Sequence, residues 1–264
     1  MGYELWLLGP VEHTELYARL YELERKRRLR LPAQFQSAPH EADVAYDVVQ
    51  FTFDEVLNAA EGVERSYLAV QRGVSVAQAG AAEYFTSNPD SLDNLDKTRF
   101  TWSDLEAVAG VWYDLTNMFI WARTLQDRVK REGIKRADGT KEPDVGLLPS
   151  LAHEFGHRTA IAHAFGRLKS GHLKEVRLLT NYNLHGGNFK SPGTQNADVT
   201  AGGVLAYYMP DKVTARVEHW HELSFKTKRD ALLFADELFQ QIVTFMDIMI
   251  DAFAKVVPQQ FRSP

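Results

Sequence analysis

Apolar residues recur every third or fourth position over most of this chain, the spacing of one helix face. In residues 41–72 they fall at Val44, Val48, Val49, Phe51, Phe53, Val56, Leu57, Ala60, Val63, Leu68 and Val70. Gly62 interrupts this run and predicts a break, with a second, smaller helix through residues 76–85. Upstream, Leu16, Leu20 and Leu23 mark a helix over residues 11–29 that ends in the basic run ERKRRLR before Pro32. The run reads as a solvated helix end, suited to the negative pole of the helix dipole.

The stretch 87–97 is rich in turn formers and acidic groups and marks the best internal boundary. Beyond it, Ser103 and Glu106 have capping-box spacing, so a helix is expected to start there. Leu105, Val108, Val111, Trp112, Leu115, Met118, Phe119, Ala122, Leu125 and Val129 give it one apolar stripe, ending near Lys130. Residues 134–146 read as a loop, with Asp138-Gly139 as its turn signal. A helical segment over 147–182 is expected to be interrupted between Gly166 and Gly171. Residues 204–209 (VLAYYM) have the composition of a short strand with an extended neighbour. A last apolar helix is expected from about residue 217, carrying Leu223, Leu232, Leu233, Leu238, Ile242, Phe245, Met249 and Phe253.

These elements predict an all-α bundle with a minor β element. Residues 1–90 form a helical extension on a bundle of residues 91–264, or the two make one continuous domain. A chain of 264 residues with 45% hydrophobic and 25% charged residues is ample for such a core. Its 30 Lys+Arg against 35 Asp+Glu give a net charge of -5, which excludes a surface devoted mainly to nucleic acid but leaves room for a local basic groove. The absence of Cys excludes disulfides, Cys-ligated zinc, iron–sulfur clusters and thiol nucleophiles, and makes a reducing cytoplasm the expected setting. The first residues lack the features of a secretory signal, and the most apolar stretch, 242–257, is too short and too charged for a membrane span. That same stretch suggests self-association into a homo-oligomer.

Two motifs compete for the chemistry. His153-Glu154-Phe155-Gly156-His157 resembles the HExxH pattern of zinc metallopeptidases. In that reading His153 and His157 lie one helical turn apart and share a zinc ion, while Glu154 acts as base toward bound water. His163 stands at the third-histidine position of metzincins, but Ala160 replaces their glycine. A continuing helix would carry His163 ~15 Å along the axis from His153. Glu175, near the spacing of the gluzincin glutamate, is then the remaining third ligand. Arg158 and Thr159 depart from the uncharged and hydrophobic residues that zincins carry after the second His.

The second motif is VRLLTNYNLHGG, at a helix end after a helical pair and before a final apolar helix. It resembles the RNxxxH region of the HEPN family, with Asn181 and His185 at the Asn and His positions and Thr180 in place of Arg. The resemblance covers about residues 100–257 and implies a helical bundle. It further implies a metal-independent RNase, or a binding and assembly module, of RNA-targeted toxin or antiphage systems, usually acting at a dimer interface. In the family's chemistry Arg holds phosphate and His performs acid–base cleavage at the RNA 2′-hydroxyl. Thr180 lacks the guanidinium, and Arg177, one turn earlier, is its substitute. Arg158 with His163 is an alternative R-x4-H pair, and Arg167/His172 and Arg216/His221 match the spacing as well. The leading reading needs no cofactor and takes RNA or a protein as partner; the alternative takes zinc.

Overall fold

The computed structural model describes residues 40–90, 106–155, 159–184, 197–199, 205–211 and 226–260. Within them the order is α1 (His40–Ser87), α2 (Glu106–Val129), α3 (Leu147–Phe155), α4 (Thr159–Ser170), α5 (His172–Leu184), β1 (Ala197–Val199), β2 (Leu205–Met209), β3 (Arg229–Asp230) and α6 (Ala231–Gln260). The fold is all-α with a minor β element. The helix expected at 11–29 and residue Ser103 of the capping box lie outside the described residues.

α1 runs unbroken for 48 residues, about 70 Å at the helical rise, through the break expected at Gly62, and absorbs both the helical pattern of 41–72 and the smaller helix expected over 76–85. The glycine serves packing. A Cβ at Gly62 would stand 2.3 Å from Cδ2 of Trp121, so its hydrogen lets the indole of α2 lie directly on the α1 backbone. Along this seam Val49, Phe53, Val56, Ala60, Val63 and Val70 of α1 are buried with Val111, Leu115, Met118, Ala122, Leu125 and Val129 of α2. Burying side chains of this size contributes roughly 1.5–3 kcal/mol each, which offsets the cost of three glycines in the long helix (Gly62, Gly73 and Gly80).

One contiguous cluster of buried side chains joins α1 and α2 to α3, α4, α5, β2 and α6. The apolar stripe of α6, Leu238, Ile242, Phe245, Met246, Met249 and Ile250, is buried inside this chain. α6 begins at Ala231 rather than near residue 217, because residues 226–230 form a turn and β3. Asp230 caps it by accepting the amides of Leu232 (2.8 Å) and Leu233 (3.0 Å). Tyr67 of α1 stacks on Phe239 at 4.3 Å and donates its hydroxyl to Asp236 at 2.7 Å, which fixes α6 against the long helix.

The strands form one antiparallel sheet in the order β1-β2-β3, with Tyr207 opposite Ala197 and Met209 opposite Arg229. Leu205, Tyr207 and Met209 alternate inward, the period of two of a strand with one buried face. Leu205 donates its amide to Gln78 of α1 at 2.9 Å, and Trp112 meets Tyr207 edge-on. The helical segment over 147–182 breaks at Gly171, inside the expected interval, while α4 passes through Gly166 without interruption. No helix of the described residues is long and apolar enough to cross a membrane.

Candidate functional site

The C-terminal end of α2 leads into residues 130–146, which fold back on themselves where the sequence reads as a plain loop. Asp138 and Gly139 make the turn. Gly139 takes φ 86°, and the Asp138 carboxylate accepts the Thr140 amide (2.9 Å) and hydroxyl (2.6 Å). Arg131 and Val145 exchange both backbone hydrogen bonds, at 2.8 and 3.0 Å, and Lys135 bridges Lys141. Asp144 closes the base. It accepts the Gly133 amide at 3.0 Å and pairs with Lys141 at 3.0 Å and Lys130 at 3.6 Å.

The Gly133 amide first, and then Lys141 and Lys130, hold the Asp144 carboxyl at about 2, below its ordinary 3.8. A depressed carboxyl contributes stability that is present above its unfolded pKa and lost as pH falls through the folded value. Wild-type protein is therefore expected to exceed Asp144→Asn in urea midpoint at about pH 5, with the gap closing as pH drops toward about 2. A gap unchanged across that window contradicts the assignment.

This hairpin, α1, α2 and α3 enclose an open groove of about 680 Å³. Thr52 and Glu55 enter it from α1, Thr124, Asp127 and Arg128 from α2, Arg131 from the hairpin, and Ser150 and His153 from α3. Arg128 pairs with Glu55 at 3.0 Å. Arg123 pairs with Asp127 at 3.2 Å and donates to Gln126 at 3.0 Å. Burial lowers the pKa of Arg123; Asp127 opposes the shift, and the charges of Arg177 and Arg131 add to it. The charges of Arg131 of the hairpin and Arg177 of α5 thus both act on Arg123 of α2, and among the described residues Arg131 and Arg177 have no carboxylate partner.

α5 explains how Arg177 reaches this cluster. Lys174, Arg177 and Asn181 follow at i, i+3 and i+7 and share a face, with Lys174 and Arg177 exposed. Thr180, which stands where the family pattern carries its arginine, is buried and donates its hydroxyl to the carbonyls of Val176 (2.9 Å) and Arg177 (3.2 Å). The guanidinium that reaches solvent is therefore the one at Arg177. His185 follows the last residue of α5 and lies outside the described residues, as do His157, Arg158 and the pair Arg216/His221.

The chain matches no family model, no curated protein and no solved structure.

The other candidates are scattered. His153 is exposed at the groove, Glu154 lies in the last turn of α3, and His163 is exposed on α4. Arg229 holds Glu175 by two hydrogen bonds, at 2.6 and 3.1 Å, so service as a zinc ligand would require breaking this bidentate pair. Among the described residues no three His, Asp or Glu side chains gather as a metal site. His172 is fixed between Glu237 (2.8 Å) and Gln241 (2.6 Å) at the start of α5, where it ties that helix to α6. Sequence reasoning passed over Arg123, Arg131, Glu55 and Asp127. The only local signal was the i,i+4 pairing of Arg123 with Asp127.

Proposed function

We propose that this chain is an HEPN-like protein that binds RNA on the cationic face of α2 and α5 and cleaves it without metal, using His185 as acid–base group. The observation that carries the reading is that Arg131 and Arg177, which have no carboxylate partner among the described residues, both act by charge on Arg123, with Asn181 on the same face of α5 as Arg177. Uncompensated like charges gathered by a fold are destabilising on their own, and a bound phosphate removes that cost. Guanidinium groups also match phosphate oxygens in bidentate fashion. The HEPN resemblance places such an activity in toxin or antiphage systems.

Chemically, cleavage at the 2′-hydroxyl needs charge stabilisation at the phosphate and proton transfer at two oxygens. Arg177, Arg131 and Arg123 supply the first, Asn181 orients the backbone, and His185 moves the proton. Fluorescence anisotropy with single-stranded RNA across a salt series tests the binding half. Arg177→Ala and Arg131→Ala are each expected to weaken binding by about fivefold to tenfold, whatever the sequence, and to reduce the salt slope by ~0.7. Arg167→Ala, an exposed arginine on α4, serves as the comparison and leaves both unchanged. Equal affinities for all three variants and wild type would remove the proposed face.

A further inference from the structure

We infer that the outer face of α1 and α2 is a homodimer interface, in which a second copy of this chain packs antiparallel about a two-fold axis level with Val63 and Ile120. The inference goes beyond the RNA reading and does not rest on it. α1 and α2 run antiparallel, with Gly62 against Trp121, Gly73 against Val111 and Glu55 paired with Arg128. One side of this helix pair enters the core, and the other is left to solvent. Five of the eight large apolar side chains exposed among the described residues stand on that outer side: Phe51 and Val76 of α1, and Tyr113, Ile120 and Trp121 of α2. Phe51 and Val76 lie about three and about four whole turns from Gly62 and share its stripe, while Tyr113 and Ile120 lie about two turns apart. Exposed apolar side chains concentrated in this way mark an interaction surface.

The charges say what covers it. Asp54, Glu61, Arg65 and Arg72 follow at i, i+7, i+11 and i+18 on α1, near-whole turns that keep them on one outer stripe. Glu61 and Arg65 also pair with each other within the helix. The order is acid, acid, base, base, symmetric about Val63. A second α1 turned end for end therefore sets Arg72 of the partner subunit opposite Asp54 and Arg65 of the partner subunit opposite Glu61, and the two-fold repeats both pairs. In the same register Phe51 falls beside Val76 of the partner subunit. Because Gly62 is level with Trp121, Val63 is level with Ile120, and the same axis brings Ile120 against Ile120 of the partner subunit. Self-complementarity of this kind is what an isologous contact requires.

The face is also large enough. α2 spans 24 residues, about 36 Å at the helical rise, and two packed helices present a width of roughly 20 Å. The product is roughly 700 Å² per copy, close to the ~800 Å² that each partner buries in a standard stable interface. RNA suits this face poorly, because its phosphates would meet Asp54 and Glu61.

Sedimentation velocity of the full chain without RNA tests the inference. The wild type is expected to sediment at twice the 30.0 kDa of one chain at tens of micromolar, the weak end of the range for an interface of this size. Ile120→Lys sets two ammonium groups against each other on the axis and is expected to weaken the dimer by about a hundredfold. Leu233→Lys, at an exposed apolar position of α6, is the comparison and leaves the mass unchanged. Asp54→Arg and Arg72→Asp each replace two opposite-charge contacts by two like-charge ones, so each alone is expected to weaken self-association by about tenfold. Mixed in equal amounts, the two variants regain both pairs as a heterodimer and are expected to associate nearly as tightly as wild type. A wild-type chain that stays monomeric overturns the inference and leaves the face to a different partner. A dimer indifferent to Ile120→Lys overturns it, and so does a mixture no tighter than either charge variant alone.

Discussion

His185→Ala is expected to lower RNA cleavage by about 10²–10⁴-fold, the typical contribution of one acid–base group, while leaving RNA binding within about twofold. The separation follows from the division of labour at the site. On the proposed reading, phosphate attraction resides in Arg123, Arg131 and Arg177, and proton transfer is assigned to His185, the next residue in sequence after α5. The assay is cleavage of a labelled single-stranded RNA in excess EDTA. A protein that cleaves in the chelator and loses the activity with His185→Ala fits this account. Cleavage that disappears in EDTA and in His153→Ala, but survives His185→Ala, belongs instead to the zinc reading of His153, His157 and Glu175.

Gly146→Ala is expected to destabilise the protein by about 2–4 kcal/mol and to weaken RNA binding along with it. Gly146 takes φ 115°, a left-handed conformation costly for any residue with a Cβ. An added Cβ would also stand 2.6 Å from the Arg128 carbonyl oxygen and 3.1 Å from that of Val129. These are backbone atoms at the end of α2, so relief requires the hairpin to move away from the helix. Val145, the preceding residue, holds Arg131 by both backbone hydrogen bonds, and that movement displaces this arginine. Gly139→Ala separates conformation from crowding. Its φ is 86° but a Cβ there meets nothing within 4 Å, so only about 1 kcal/mol is expected. Urea midpoints of the two variants measure the difference, and equal midpoints would contradict the close approach at Gly146.

The helical architecture was legible because its core faces are periodic. The stripe from Val111 to Val129 appears in the sequence as it is buried in the fold, and residues 205–209 carry the composition of the strand they form. Gly62 misled because its reason lies across space: the ring of Trp121 packs where a side chain would sit, and nothing in the neighbouring sequence encodes that contact. The start of α6 was placed too early because apolar spacing continues upstream, whereas the decisive group is the Asp230 carboxylate capping Leu232 and Leu233. At the site, Arg177 and Asn181 were readable from one helix's spacing. Arg131, Glu55 and Asp127 were not, because their groove forms only where α1 meets the end of α2 and the hairpin, with Glu55 and Arg128 73 residues apart in the chain. The same limit applies to Glu175, whose partner Arg229 lies on a strand 54 residues away.

Photo-crosslinking of the full chain to single-stranded RNA, with the attached peptides identified by mass spectrometry, tests the central claim most directly. Crosslinks concentrated in residues 123–131 and 172–184, and depleted in Arg177→Ala, are the predicted result. RNA attached only to α6 or α1, or a pattern indifferent to Arg177, would contradict a phosphate-binding face formed by α2 and α5.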